Sequence, residues 1–150
     1  MRLVLFQPDI PQNVGAAIRL GACLGVGIDI VEPCGFVLDG RRLRRAAMDY
    51  ADIASVVRHR AWDAFLDAND CRLVLLSTKG TVRLPDFSFE ADDRFILGRE
   101  SGGVPETVVR RADAVVRVPM IAAARSLNVV TTGAIVLAEA LRQTNGWSAD

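Results

Sequence analysis

The sequence predicts an α/β fold: a mostly parallel sheet flanked by helices. Three observations carry this. Short runs of β-forming residues alternate along the chain with stretches of helical length. The run Arg72-Leu-Val-Leu-Leu-Ser77 is apolar almost without interruption, as in a strand covered on both faces. A second apolar run, Phe95-Ile-Leu, stops at Gly98 and continues as Arg-Glu-Ser-Gly-Gly-Val-Pro105. A buried strand feeding a glycine-rich turn and then a helix lets backbone approach a ligand closely. An ordinary tight turn is the alternative for that segment.

In order, residues 2–6 form the first strand and 7–12 a loop. Asn13 is a good N-cap for a helix over 14–25. The only polar side chain in that helix is Arg19, so the helix is expected to be covered on most sides. Arg19 either snorkels into a structural ion pair or is a cation held at a pocket, where Gly15, Ala16 and Cys23 leave room. Residues 27–32 form a second strand ending at Pro33. Asp39-Gly40 can open a helix that places Arg41, Arg44 and Arg45 on one face. That face is either simply solvated or turned to an anionic partner. A third strand is expected over 53–57 and a short helix over 61–68, with His59 exposed between Arg58 and Arg60. The strand at 72–77 ends in the polar turn Thr78-Lys79-Gly80. Residues 84–93 read as loop, 94–97 as strand, 105–111 as helix and 114–118 as the last strand. A loop over 119–125 holds Met120, and Ser126 caps a long helix to about Gln143. Ligands of such sheets sit at the strands' C-terminal ends. The segments 76–80, 98–103 and 118–126 therefore converge there.

Composition narrows the class. The chain has 150 residues, the size of one domain, and 51% of them are apolar. Formal net charge is zero, so any attraction to nucleic acid must come from a local patch. No segment reads as membrane-spanning or as a signal peptide. Three widely spaced cysteines and a single histidine give no metal-ligand spacing and suit a reducing, cytoplasmic setting. Neither a dinucleotide-binding glycine motif nor a P-loop is present. Ser101 lacks a histidine base, and no carboxylate pair suggests glycosidase chemistry.

Three blocks now stand together: Pro11-Gln-Asn-Val-Gly-Ala-Ala-Ile-Arg19, Leu97-Gly-Arg-Glu-Ser-Gly-Gly-Val-Pro105 and Val118-Pro-Met-Ile-Ala-Ala-Ala-Arg-Ser-Leu-Asn-Val-Val130. In order and spacing the chain resembles the SPOUT class of RNA methyltransferases, in its 2′-O-ribose branch. Chain length and the segments Glu32 to Phe36, Arg42 to Ala46 and Asp49-Tyr50 resemble the minimal subfamily that methylates wobble nucleotide 34 of certain leucine tRNAs. The resemblance covers essentially the whole chain, as a single domain without an RNA-binding extension.

The resemblance implies a deep C-terminal trefoil knot, S-adenosyl-L-methionine as methyl donor with S-adenosyl-L-homocysteine as product, a tRNA substrate, a homodimer that completes the site, and no metal. The donor would be bound by Leu76, Thr78, Gly98, Glu100, Gly102, Val118, Met120, Ser126 and Leu127. Arg19 matches the catalytic arginine, Asn13 would orient it or the ribose, and Ser126 and Asn128 would hold donor and nucleophile. Lys79, Arg41, Arg44, Arg45 and Arg125 would grip the RNA backbone. The chain departs from the subfamily at Arg99 and Gly102, where Gly-Pro-Glu-Thr-Arg-Gly is common, and at Ala138-Glu139, where an aromatic-Glu pair is common. Another tRNA position or a ribosomal RNA is the alternative substrate. A non-catalytic RNA-binding module is the alternative from another class.

Overall fold

The computed structural model describes residues 1–38, 50 and 54–148. Arg41, Arg44 and Arg45, with the helix expected to carry them, lie outside these residues. In chain order the elements are β1 (Arg2–Phe6), α1 (Pro11–Leu24), β2 (Gly27–Val31), β3 (Val56–His59), α2 (Trp62–Asp67), β4 (Leu73–Leu76), β5 (Val82–Arg83), a 3₁₀ turn (Leu84–Asp86), β6 (Arg94–Leu97), α3 (Glu106–Arg111), β7 (Ala114–Arg117) and α4 (Val129–Gln143). The strands form one sheet in the order β3-β2-β1-β6-β4-β7-β5, parallel at every pair.

Each central strand sends alternate residues to opposite faces, and both faces are apolar. Leu3 and Leu5 of β1 join Val14, Ile18, Val136 and Leu137 under α1 and α4. Val4 and Phe6 join Phe65 and Val108 under α2 and α3. Burial of each such side chain contributes about 1.5–3 kcal/mol; the exception in the interior strands is Asp29 of β2, buried and paired.

Several expectations shift. The third strand is Val56–His59, not 53–57, because its ladder is set against β2, with Ile28 opposite Val56 and Val31 opposite His59; residue 53 lies outside the described residues. His59 is buried, not exposed. Strand alternation turns it inward between outward Arg58 and Arg60, where Nε2 lies 2.9 Å from Oδ1 of Asp29 and the ring meets Phe65 edge-on. The 84–93 stretch holds the 3₁₀ turn, just after the two-residue strand β5. Helix α1 starts at Pro11, where a residue without an N–H costs nothing, so Asn13 sits inside the first turn and caps nothing. Nor does Ser126 cap α4: Asn128 does, its side chain accepting from the N–H groups of Val130 at 2.8 Å and Thr131 at 3.3 Å. In the single chain α1 is covered on one side only, leaving Gln12, Ala16, Arg19 and Cys23 as an exposed stripe.

The link from β4 to β5 places the site. It crosses directly over β7, which lies between those two strands. A Cβ on Gly80 would fall 2.6 Å from the carbonyl carbon of Val116, so only glycine fits the crossing. The chain beyond β7 then has to return past this link to reach α4, which packs on α1 and β6.

Candidate active site

The loops after β4, β6 and β7 meet at the C-terminal edge of the sheet and enclose a cavity of about 330 Å³. That is the size range of a small-molecule site. Its floor is apolar: Leu75 and Leu76 end β4, Leu97 ends β6, and Val118, Leu127 and Val129 come from the last connection. Polar groups stand around it: Ser77, Thr78, Asn13, Arg99, Glu100, Ser126, Asn128 and Thr132.

The β6–α3 turn is rigid. Arg99 and Gly103 exchange both backbone hydrogen bonds at 2.9 Å. A Cβ on Gly98 would lie 2.7 Å from the Gly103 carbonyl carbon. The turn is tied to the β1–α1 loop through Asp9. Its carboxylate accepts from the N–H groups of Glu100 at 3.2 Å and Ser101 at 3.3 Å and from the Ser101 hydroxyl. Hydrogen bonding by Glu100 first, and by Ser101 second, holds the Asp9 carboxyl well below the usual range, at about 2.

Glu100 answers in kind. One carboxylate oxygen accepts from Asn13 Nδ2 at 2.7 Å, the other from the Asp9 N–H at 3.1 Å. Asn13 Oδ1 in turn accepts from Asn128 Nδ2 at 3.1 Å. A hydrogen-bonded chain thus runs from the start of α4 through Asn128, Asn13 and Glu100 to Asp9, joining three loops that are distant in sequence. Such a chain fixes the rotamers of the polar wall before any ligand arrives.

Of the residues singled out in the sequence, Leu76, Thr78, Gly98, Glu100, Val118, Met120, Ser126, Leu127, Asn13 and Asn128 all line this one cavity. Gly102 does not; it is exposed at the tip of the turn. Arg19 does not either. It is exposed on α1, with its guanidinium 5.1 Å from the centre of the Tyr50 ring. The partners of Asn13 are Glu100 and Asn128, not Arg19. Lys79 and Arg125 are exposed on the neighbouring loops, outside the cavity wall. Sequence reasoning missed Asp9, whose only signal was an acid between two prolines, and it missed Arg99 as a wall residue.

One acidic group, Glu90, Asp92 and Asp93, could bring carboxylates together, but it lies at the start of β6, at the far edge of the sheet. Asp93 there already accepts from Arg72 at 2.7 and 2.8 Å. Among the described residues, no helix is long and apolar enough to cross a membrane.

Comparison with known proteins places this geometry. The model of the SpoU rRNA Methylase family matches residues 1–138. The chain is 48% identical over 151 residues to a tRNA (cytidine(34)-2′-O)-methyltransferase of Ancylobacter novellus, covering 99% of this chain and 96% of that protein. It is 51% identical over 144 residues to the protein of the same name from Beijerinckia indica subsp. indica, covering 94% and 90%. A solved structure described as giving insight into the 2-OH methylation of C/U34 on tRNA superposes with a TM-score of 0.90 at 36% identity, covering 97% of this chain and 96% of that one. An AdoMet-bound rRNA methyltransferase from Sinorhizobium meliloti superposes with a TM-score of 0.83 at 25% identity, covering 94% of this chain and 55% of its own.

Proposed function

The chain belongs to the SpoU rRNA Methylase family, and on that premise we propose that it transfers a methyl group from S-adenosyl-L-methionine to the 2′-hydroxyl of wobble nucleotide 34 of tRNA, with leucine tRNAs as substrates. The observation that carries this reading is the closure of one cavity by the loops after β4, β6 and β7, with a polar chain along one wall. The substrate follows the relatives named for nucleotide 34, which match over at least nine-tenths of both lengths. The ribosomal RNA enzyme shares little more than half of its own chain with this fold.

The residues present fit the donor. Leu75, Leu76, Val118 and Leu127 offer an apolar surface to a purine, while Thr78, Ser126 and backbone of the 98–103 turn offer polar contacts. When bound, the donor supplies a methyl activated on a sulfonium. Gly102, off the wall, supports the turn rather than touching the donor.

A ribose hydroxyl is a weak acid, so its attack needs alignment and a positive charge near the oxygen. Arg19 supplies that charge. A guanidinium stays protonated and cannot serve as base, so a phosphate oxygen or water takes the proton. Because Arg19 lies outside the cavity of its own chain, it serves the cavity of a second copy in a homodimer, docked through the exposed stripe of α1. Asn13 and Asn128, joined to each other, position the nucleophile. Lys79, Arg125 and the arginines at 41, 44 and 45 hold RNA phosphates. The return of the chain past the β4–β5 link is the threading point of a trefoil knot in this reading, and the enzyme works in the cytoplasm.

The test is a nucleoside map of total tRNA from a deletion strain. The 2′-O-methyl at position 34 of leucine tRNAs disappears and returns with the gene. An unchanged position 34 overturns the substrate. Titration calorimetry with S-adenosyl-L-methionine tests the donor separately, and no saturable binding overturns it.

A further inference from the structure

Arg99 is the one cation among the described side chains that line the cavity, and Glu100 the one anion. Glu100 is consumed by Asn13 and the Asp9 N–H. Arg99 is exposed at the rim, and among the described residues no carboxylate lies within ion-pair distance of it. Its Nη2 donates instead to a neutral acceptor, Oε1 of Gln7.

Gln7 is an unusual residue for that duty. Its φ is +46°, in the left-handed region that a glutamine enters against a steric cost. Its N–H donates to the Val31 carbonyl at 2.8 Å and its Nε2 reaches the Glu32 carbonyl at 3.5 Å. The strain therefore turns the chain at the end of β1 so that the amide oxygen faces Arg99. The Arg99 backbone is itself pinned by its paired hydrogen bonds with Gly103. A guanidinium fixed at both ends, held by a neutral acceptor and open to solvent on its other donors, is preorganised for an oxyanion. An arginine meant only for solvation needs neither a strained partner nor a pinned backbone.

We infer that Arg99, positioned by Gln7, binds an oxyanion at the mouth of the cavity. The inference rests on the methyl-transfer reading, whose two ligands each carry such a group: a phosphodiester of the RNA and the α-carboxylate of the donor.

The experiment compares wild type with Arg99→Ala, Arg99→Lys and Gln7→Gly. It measures S-adenosyl-L-methionine binding by calorimetry, tRNA binding over a salt series, and the melting temperature. Arg99→Ala weakens one ligand about tenfold with melting unchanged. Arg99→Lys, a point charge without a fork, recovers part of the loss. Gln7→Gly relieves the left-handed backbone, so melting rises while the same ligand binds several-fold more weakly. Combined with Arg99→Ala it adds nothing, since both act through one guanidinium. If the oxyanion is the phosphodiester, tRNA affinity falls and the salt slope shrinks by about one. If it is the donor carboxylate, donor affinity falls, the salt slope holds, and adenosine binds both proteins equally. Arg99→Ala binding both ligands as wild type does overturns the inference. A wild-type protein that takes up neither ligand removes the methyl-transfer reading itself, and the inference with it.

Discussion

Two regions of the molecule treat arginine in opposite ways. Toward the strands' starts, Arg72 forks onto Asp93, which is 0% exposed, and Arg2 lies 2.6 Å from Asp29, which is 2% exposed and also holds His59. At the cavity rim Arg99 leans on a neutral glutamine, and Arg19, partway along the helix that follows β1, lies over the Tyr50 ring. Neither has a carboxylate partner among the described residues. Stripping one partner from a buried pair leaves an uncompensated charge, at a cost of about 3–5 kcal/mol. An exposed arginine contributes little to folding. The same residue type thus pairs with a buried acid in one region and keeps clear of carboxylates in the other, which is what the ligand roles proposed for Arg99 and Arg19 require.

Asp29→Ala strikes the first region hardest, since it strands both Arg2 and His59. Stability falls by about 3–5 kcal/mol, and the thermal midpoint by on the order of 10 °C, while donor binding per folded molecule is unchanged. A midpoint within a degree of wild type breaks the comparison. Arg19→Ala strikes the other region. It leaves melting and donor binding as they are and lowers methyl transfer by about 10²–10³-fold. Loss of donor binding refutes that role for Arg19. Mixing Arg19→Ala with Gly98→Val, whose side chain would invade the Gly103 backbone, sharpens the point. Activity returns in the mixture only if Arg19 serves a second copy's cavity. Asn128→Ala lies between the two classes. Loss of the α4 cap costs about 1 kcal/mol, a midpoint shift of about 2–4 °C, and the severed link to Asn13 lowers turnover besides.

The same contrast explains what could be read from the chain. Residues 94–97 were legible to the residue because a strand covered on both faces shows itself as an unbroken apolar run. The edge strand β3 was not, since only His59 of its four residues is buried and its register is set by β2, 25 or more residues away. His59 was misjudged for a related reason. Its flanking arginines suggest solvent, but the acid that draws it inward is Asp29, hidden in an apolar strand. Asn13, Ser126 and Asn128 are all good capping residues. Only tertiary structure reveals that Glu100 claims Asn13 and that α4 begins late enough for Asn128. The cavity wall was largely legible because parallel strands bring their C-terminal loops together whatever the loops contain. Gln7 and Arg99 were not, because a positive φ at a glutamine leaves no trace in sequence.

The smallest effect tests the clamp that shapes the wall. The Asp9 carboxyl sits at about 2 against an ordinary value of 3.8, drawn down by hydrogen bonding from Glu100 and then from Ser101. A folded value below the unfolded one means the group stabilises the native state only while ionised. Its contribution is complete above about pH 4 and is lost as pH falls through about 2. Asp9→Asn therefore melts slightly below wild type at pH 7, and the gap closes as pH is lowered from 4 toward 2. A gap that is constant over that interval means the tie between the β1–α1 loop and the 98–103 turn does not depend on the ionised carboxylate. The wall holding Arg99 and Glu100 then owes its rigidity to the Arg99–Gly103 backbone pair and to the bonds Glu100 accepts from Asn13 and the Asp9 N–H.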